Sequence, residues 1–342
     1  MRIELFDYRL PQDLIAQKPL LLRDHSKMMV VDRKSGSITH DNFFNIEKYL
    51  CPGDVLVINE SRVNRCRIFG KKESTGARIE CFVLNKVDIY REDNEYEVLL
   101  KPSKRLSAGD RVVMGDYFLK ILEKGEYGKA IVAFSSPVNE IFDTVGELPL
   151  PPYIKGRDFD ENRYQTVYAS RGGSAAAPTA GLHFTKELIS SLKEQGVFFA
   201  KITLDIGLDT FRPISTQLIK EHRMHEEYYY MDGREAEIIE SGMKRPGSRI
   251  IAVGTTAARV LETLMQKYNK IREGSGYTGI YIYPPYKFKA VDCMITNFHL
   301  PRSSLLIMVS AFAGREKILE AYEEAKRDDY RFYSFGDCMF IK

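Results

Sequence analysis

Ser248-Arg-Ile-Ile-Ala-Val-Gly-Thr-Thr-Ala-Ala-Arg-Val-Leu-Glu-Thr-Leu264 is the stretch that decides the fold class. The apolar run before Gly254 predicts a buried strand, and the apolar spacing after it predicts a helix. Gly254 permits the turn between them, Thr256 is expected to cap the helix, and Arg259 falls in its first turn. The stretch lacks the second glycine of G-x-G-x-x-G and the lysine of a Walker loop, so it does not indicate NAD binding or ATP hydrolysis. A small nucleoside-like ligand and plain packing of strand on helix both remain open.

Composition limits the class of protein. The chain has 342 residues, enough for about two domains, and its 44% hydrophobic and 28% charged residues are typical of a soluble globular protein. A net charge of +3 is too small to indicate a nucleic-acid partner, so any RNA surface must come from local patches. The five cysteines form no C-x-x-C pair, which favours reduced thiols over a disulfide framework or structural zinc. With no signal peptide and no apolar run of spanning length, we expect a cytoplasmic protein with no membrane partner.

Residues 62–149 differ from the segments on either side of them. Glycines separate five short strand-like runs: 78–84, 95–100, 111–114, 117–122 and 129–134. This spacing predicts a small antiparallel barrel or sandwich. Because strand and helix patterns flank the segment on both sides, we predict a mixed α/β fold with an inserted β-barrel. The larger α/β core domain comprises residues 1–61 and 150–342, and the inserted small antiparallel β-barrel domain comprises 62–149.

A loop of small residues follows the barrel. Ser174-Ala-Ala-Ala-Pro-Thr-Ala-Gly-Leu-His-Phe-Thr185 carries almost no side-chain bulk over eight positions, as expected where a ligand lies against the main chain. Thr179 and His183 are its chemically useful side chains. Thr185 is the expected cap of a helix over residues 186–195, and a helix N-terminus offers free N–H groups to a polar ligand. A tight packing turn is the alternative.

Three further sets of polar residues are candidates for function. Six basic residues stand against one acidic residue over 62–78, which suits an RNA backbone or an ordinary solvated surface. His222-Arg-Met-His225-Glu-Glu227 offers either metal ligands or a structural or substrate-facing polar pair. Polar residues end two predicted strands, at Asn59-Glu60 and at Asn297-Phe-His299, where open α/β sheets place ligands.

Six motifs, in chain order, resemble the S-adenosylmethionine:tRNA ribosyltransferase-isomerase family. They are Phe6-Asp-Tyr with Leu14-Ile-Ala-Gln, the small-residue loop, His222-Arg-Met-His, Val253-Gly-Thr-Thr, Ile295-Thr-Asn-Phe-His-Leu-Pro and Tyr330-Arg-Phe-Tyr-Ser-Phe-Gly-Asp. The chain departs from the family pattern in two places. Asn59-Glu-Ser-Arg-Val-Asn-Arg-Cys-Arg67 differs from the usual Asn-x-Thr-Arg-Val-x-Pro-Ala-Arg, and Asp205 and Asp209 stand where the family usually has histidine and glycine.

The resemblance implies a queuosine-pathway enzyme. Such an enzyme moves the ribosyl part of S-adenosylmethionine onto 7-aminomethyl-7-deazaguanine at the tRNA wobble position. It rearranges the ring to epoxyqueuosine and releases adenine and methionine. S-adenosylmethionine is consumed as a cosubstrate, so no cofactor and no metal are expected. The expected partners are a tRNA with a modified wobble base and S-adenosylmethionine, and we expect a monomer.

The resemblance and the chemistry together suggest roles for particular residues. Expected catalytic residues are His183, His299, Asp205 and Glu60, with base and acid not assigned among them. Expected substrate-binding residues are Thr179, Gly181, Gly254, Thr255, Thr256 and Asn297. Expected tRNA-binding residues are Arg62, Arg65, Arg67, Lys71 and Lys72. Two alternatives remain: a metal-dependent hydrolase using His222, His225 and Glu227, and a non-catalytic tRNA-binding module using the barrel.

Overall fold

The computed structural model describes residues 1–86, 94–156, 158–207 and 213–342. Over these residues the chain forms two compact units, Met1–Arg62 with Pro151–Lys342 and Val63–Leu150. The predicted boundaries, after residues 61 and 149, each lie one residue before these divisions. The predicted fold class, a mixed α/β core with an inserted antiparallel barrel, is confirmed. Each helix in the described ranges is too short or too polar to cross a bilayer.

The regular elements follow one another in three segments of the chain. The first segment holds β1 (Lys27–Val31), β2 (Ile38–Asn42), β3 (Val55–Asn59) and β4 (Ser61–Val63). The middle segment holds β5 (Arg67–Lys72), β6 (Arg78–Lys86), β7 (Glu95–Lys101), β8 (Arg111–Met114), β9 (Tyr117–Lys124), β10 (Lys129–Phe134), α1 (Val138–Val145) and β11 (Gly146–Glu147). The last segment holds β12 (Arg171–Ser174), α2 (Lys186–Glu194), β13 (Phe198–Leu204), β14 (Glu227–Met231), α3 (Gly233–Lys244), β15 (Ile250–Val253), α4 (Thr255–Tyr268), β16 (Gly274–Thr278), β17 (Cys293–Asn297), α5 (Ser304–Ala313), α6 (Arg315–Arg327) and β18 (Cys338–Ile341). Short 3-10 helices lie at Ile3–Phe6, Gln12–Leu14, Arg23–His25, Phe43–Tyr49, Glu126–Gly128, Glu161–Tyr164, Thr179–His183 and Ile219–Glu221.

The core unit is built on a nine-stranded sheet in the order β16-β14-β13-β3-β15-β17-β18-β1-β2. The four strands β13, β3, β15 and β17 run parallel, and β1 runs parallel to β18. The other neighbouring strands pair antiparallel. Strands buried on both faces are expected to be continuous apolar runs, and β3 and β15 are buried along their whole length.

Two apolar layers cover the core sheet. Because successive side chains of a strand point to opposite faces, Val55 and Val57 pack in one layer, and Leu56 and Ile58 pack in the other. The first layer contains the apolar faces of α4, α5 and α6, and the second contains that of α2. The sheet is therefore enclosed between helices, and ligands have access mainly at its edges.

The inserted unit is a closed antiparallel barrel. Its strands follow the order β5-β6-β7-β10-β9-β8, β5 pairs with β8 to close it, and β11 adds to β5. Gly70 permits the closure because a Cβ there would lie 2.6 Å from the Val113 carbonyl oxygen. All five strand-like runs of the sequence are strands of this barrel, whereas β5 lies in the basic stretch for which no strand was predicted.

The C-terminal segment differs from its prediction. The aromatic and apolar pattern of residues 330–341 predicts a strand, but β18 covers only Cys338–Ile341. The preceding residues turn sharply, with Tyr333 at a φ of 72°. A Cβ at Gly336 would lie 2.3 Å from the Arg331 carbonyl oxygen, so this turn requires glycine. The pattern of aromatic residues was taken for a strand because alternating apolar side chains do not distinguish a strand from a buried turn.

Candidate active site

The carboxyl ends of the four parallel strands meet at one edge of the core sheet. This edge carries Asn59 at the end of β3, Asp205 after β13, Gly254 after β15 and Asn297 at the end of β17. Open α/β sheets bind their ligands outside the carboxyl ends of the strands. The fold therefore gathers residues that lie more than 200 positions apart in the sequence.

A cleft of about 60 Å³ opens at this edge. The lining comes from the small-residue loop, the beginning of α4, the end of β17 and two charged residues: Ala176, Ala177, Pro178, Thr179, Ala180, Ile206, Glu227, Gly254, Thr255, Thr256, Arg259, Thr296, Asn297, His299 and Leu305. Small side chains in the loop leave room for a ligand against the backbone.

Helix α4 begins at the cleft. Its N-cap is Gly254, at a φ of 94°, and the first backbone hydrogen bond runs from Ala258 N to Gly254 O at 3.3 Å. The N–H groups of the first turn are therefore available to a ligand. The hydroxyl oxygen of Thr256 is shielded from solvent and has no hydrogen-bond partner among the described residues. Thr256, predicted as the cap, instead lies inside the first turn.

Glu227 and Arg259 form a buried ion pair in the wall of the cleft. Arg259 Nη1 donates to Glu227 Oε2, and both side chains are almost fully shielded from water. Glu227 Oε1 also accepts from the backbone of Gly207 and contacts His225 Nε2, each at 2.9 Å. Burial alone would raise the pKa of Glu227, but Arg259 and His225 bring it below its ordinary value. Glu227 is therefore ionised throughout the neutral range.

Asn297 connects His183 to the cleft. Its Nδ2 lies 3.3 Å from His183 Nε2 and from the carbonyl oxygens of Tyr333 and Asp337. Two carbonyl acceptors fix the orientation of the amide, because only the nitrogen can donate to them. Asn297 Oδ1 is left buried, with no partner among the described residues. An unsatisfied acceptor in the wall of a cleft is a site for a ligand donor.

Both candidate histidines are buried and neutral. His183 Nδ1 lies 2.7 Å from Ser26 Oγ, and His299 Nε2 lies 2.7 Å from Thr296 Oγ1. Burial lowers the pKa of His299 to about 3. Burial, with smaller contributions from nearby arginines, also lowers the pKa of His183 to about 3. At neutral pH each ring acts as a hydrogen-bonding group and is a poor proton acceptor.

Asp205 has the opposite shift. Burial and the charge of Glu227 raise the pKa of Asp205 to about 6, while Arg171 opposes the change. Its Oδ1 is shielded and has no partner in the described part of the chain. A Cβ at Gly173 would lie 2.6 Å from Asp205 Oδ2, so the glycine gives this carboxyl its space. Asp205 and Glu227 are thus neighbouring carboxyl groups with opposite shifts, since the pKa of Asp205 is raised and that of Glu227 is lowered.

The family model for "queuosine biosynthesis protein" matches residues 3–341. The chain belongs to this family. It is 50% identical to the S-adenosylmethionine:tRNA ribosyltransferase-isomerase of Carboxydothermus hydrogenoformans and 49% identical to that of Staphylococcus saprophyticus, with 100% of each chain covered. The crystal structure of S-adenosylmethionine tRNA ribosyltransferase from Thermotoga maritima is 36% identical, with a TM-score of 0.58, over 99% of this chain and 100% of that one. The family predicted from the motifs is confirmed.

The predicted site residues of this family member divide into two groups. Those that line the cleft are Thr179, Gly254, Thr255, Thr256, Asn297 and His299. Those that do not are His183, Asp205, Glu60 and Gly181. His183 contacts the lining residue Asn297, and Asp205 directly precedes the lining residue Ile206. The carboxylate of Glu60 is held by Ser170 Oγ at 2.6 Å and Lys201 Nζ at 3.3 Å.

Gly181 is required by packing. A Cβ there would lie 1.9 Å from the hydroxyl oxygen of Tyr168, so Gly181→Ala is expected to destabilise the protein by about 1–3 kcal/mol. Adding Tyr168→Phe should recover part of this loss because it removes the nearest atom. Urea denaturation of the three variants measures both effects. Gly156→Ala is the matched control, since nothing lies within 4 Å of a Cβ there. Equal stability of the Gly181 and Gly156 variants would contradict the packing role.

The predicted tRNA-binding residues differ in their availability. Arg67 donates to Glu80 at 2.6 Å, and Lys72 donates to Asp110 at 2.7 Å, so both charges are partly neutralised within the barrel. Lys71 is exposed and lines an open groove of the barrel together with Phe69. Arg62 and Arg65 are exposed.

The residues proposed as alternative metal ligands are not gathered around one point. His225 contacts Glu227, while the ring of His222 packs edge-on against Tyr281 with centroids 5.3 Å apart. Among the described residues, the His/Cys/Asp/Glu group with ligand atoms within 4.8 Å of one another is instead His40, Glu324 and Asp328. Both histidines follow the 3-10 turn Ile219–Glu221 in an irregular segment. The other departure from the family pattern, Asp209, lies outside the described residues.

The sequence did not indicate two parts of the site. Arg259 was placed in a helix but given no role, because its partner Glu227 lies 32 positions away and no local pattern links them. Ser26, which contacts His183, precedes β1 and carries no motif. The sequence feature that could have identified Arg259 as functional is a charged residue on an otherwise apolar helix face, because buried charges are rare unless they are paired.

Proposed function

We propose that this protein transfers and isomerises the ribosyl moiety of S-adenosylmethionine onto 7-aminomethyl-7-deazaguanine at the tRNA wobble position. The products are epoxyqueuosine-tRNA, adenine and methionine. S-adenosylmethionine is consumed in this reaction, so no resident cofactor is required. Family membership and the polar cleft at the carboxyl edge of the sheet support the proposal.

The observation that carries the proposal is the set of unsatisfied polar groups in the cleft. Asn297 Oδ1 and Thr256 Oγ1 are buried without partners among the described residues, although buried polar atoms are hydrogen-bonded as a rule. The first N–H groups of α4 point to the same space and favour an anion. They suit the carboxylate of the methionine moiety, while Asn297 offers an acceptor to an N–H or O–H group of the nucleoside.

The chemistry requires removal of a proton next to the sulfonium. The positive sulfur stabilises the carbanion that forms, so a base of moderate strength is sufficient. Asp205 is our candidate for this base, because its pKa near 6 is close to the working pH. Glu227 remains ionised beside it and favours the cationic substrate. His183 and His299, neutral at this pH, are assigned hydrogen bonding to the substrates, including the departing adenine.

The barrel supplies a prediction about tRNA. Lys71→Gln is expected to weaken tRNA binding and to reduce the slope of log K against log salt by about 1, as for the loss of one phosphate contact. Lys72→Gln is the matched control and should change the slope less, because Lys72 is already paired with Asp110. Filter binding at several salt concentrations measures both slopes. Identical slopes for wild type and Lys71→Gln would remove this face from the tRNA interface.

Release of adenine tests the proposed reaction. Purified protein is mixed with S-adenosylmethionine and a tRNA carrying 7-aminomethyl-7-deazaguanine at the wobble position. The masses of the tRNA nucleosides are then measured by mass spectrometry. We expect adenine in a 1:1 ratio to a ribosyl-derived mass gain on the tRNA. Bound tRNA without adenine would favour the binding-module alternative. Activity that disappears on chelation and returns with metal would favour the hydrolase alternative.

A further inference from the structure

A second cleft adjoins the Asn297–His183 contact. Asn297 lines the first cleft, whereas His183 lines this one, which is open to solvent. Its walls include Arg23, Arg163 and Ser334, the last of which belongs to the C-terminal motif. The proposed reaction joins two substrates, and the first cleft accounts for only one of them.

Within the described residues, two guanidinium groups of the second cleft donate hydrogen bonds to carbonyl oxygens alone. Arg163 donates to Leu21 O at 3.0 Å and to Leu20 O at 2.7 Å, and its Nε is shielded with no partner among the described residues. Arg23 donates from Nη1 to two further carbonyl oxygens, at 3.2 and 3.3 Å. Within the described ranges, neither arginine forms an ion pair with a carboxylate. Asp24 offsets part of the charge of Arg23 from a distance, but no carboxylate of the described residues is hydrogen-bonded to either guanidinium.

A third guanidinium lies close to the same histidine. Arg331 donates from Nη2 to the Lys18 carbonyl oxygen, and its Nη1 is shielded without a partner in the described chain. Burial, followed by the charge of Arg163, lowers the pKa of Arg23, and Arg23 and Arg331 both disfavour protonation of His183. Asp337 offsets part of the charge of Arg331, but partly buried like charges remain unfavourable unless further negative charge is bound between them.

We propose that Arg23 and Arg163 bind an oxyanion in the second cleft. On the proposed function, on which this step rests, the oxyanion is a tRNA phosphodiester next to the modified base. Guanidinium groups match phosphate oxygens with two parallel hydrogen bonds. A phosphodiester held here places the target base beside the Asn297–His183 contact, against the first cleft. The carboxylate of S-adenosylmethionine has the same chemistry and is the alternative source of the oxyanion.

Inorganic phosphate tests the site without the reaction. We expect phosphate to raise the melting temperature of the wild-type protein saturably, beyond the effect of chloride at equal ionic strength. Arg163→Gln and Arg23→Gln should each weaken phosphate binding about tenfold or more. Arg327→Gln, which removes an exposed positive charge at the end of α6, is the matched control. Because Arg163 also holds the Leu20–Leu21 carbonyl groups, Arg163→Lys is included; it keeps the charge and should retain more binding than Arg163→Gln.

Separate binding measurements distinguish the sources of the oxyanion. If Arg163→Gln weakens tRNA binding and leaves S-adenosylmethionine binding unchanged, the oxyanion is a phosphodiester. If it weakens S-adenosylmethionine binding and leaves tRNA binding unchanged, the oxyanion is the carboxylate. The site is overturned if phosphate gives no specific stabilisation, or if both glutamine variants bind phosphate like Arg327→Gln. The two hypotheses can fail separately. If the wild-type protein releases no adenine but the glutamine variants lose phosphate binding, the oxyanion site is upheld and the proposed reaction is rejected.

Discussion

Arg259→Met is expected to lower the free energy of unfolding by about 3–5 kcal/mol, because it leaves Glu227 as a buried charge without its main partner. His225 and the Gly207 N–H would remain near the carboxylate, but neither carries a permanent positive charge. The variant should also lose activity, since both members of the pair line the cleft. Urea denaturation at pH 7 measures the stability change.

A double-mutant cycle separates the pair from the packing of its side chains. Glu227→Gln in the Arg259→Met background removes the stranded charge and should recover part of the lost stability. Arg302→Gln is the matched control for an ion pair at the surface, where Asp7 is the partner. That variant should lose only about 0.2–1 kcal/mol. Similar decreases in the free energy of unfolding for Arg259→Met and Arg302→Gln would show that the buried pair contributes no more to stability than a surface pair.

Asp205→Asn is expected to reduce kcat by about 10²–10⁴-fold, the usual contribution of a general base. In the wild-type protein, kcat/KM should rise with pH through a midpoint near 6, where Asp205 becomes ionised. In the Asp205→Asn variant, kcat/KM should not show this rise. Adenine release across pH 5–8 measures both quantities, and Asp13→Asn, an exposed substitution of the same kind, is the control. If kcat/KM of Asp205→Asn still rises with pH through a midpoint near 6, another group carries out the proton transfer.

The raised pKa of Asp205 also has a consequence for stability. A carboxyl with a higher pKa in the folded state than in the unfolded state stabilises the fold below its ordinary pKa, and this contribution is lost as pH rises through about 6. Wild-type protein should therefore lose about 3 kcal/mol relative to Asp205→Asn between pH 4 and pH 7. Parallel stability curves for the two proteins would contradict the raised pKa.

The sequence predicts the architecture well because burial leaves a local pattern. The strands β3 and β15 are continuous apolar runs, and Thr185 caps α2 through a 3.0 Å hydrogen bond to Leu188 N, as predicted. Polar residues at the ends of β3 and β17 also indicated the carboxyl edge of the sheet. These inferences depend only on neighbouring residues.

The remaining features depend on contacts between distant residues. Nothing near Gly181 in the sequence shows that Tyr168 fills the space beside it, so a packing glycine was taken for a binding glycine. The sequence also does not show that His183 and His299 are buried, and their lowered pKa values depend on burial by several segments. The pairing of Glu227 with Arg259 likewise requires β14 and α4 to be assembled first.

Strand β18 lies between β17 and β1 in the core sheet, so the last strand of the chain joins the first strand to the rest of the sheet. The residues before it hold the amide of Asn297. During synthesis on a ribosome, β1 therefore lacks this neighbour until residues 338–341 have emerged. A polypeptide cut short before residue 338 lacks the strand that joins β1 and β2 to the rest of the core sheet.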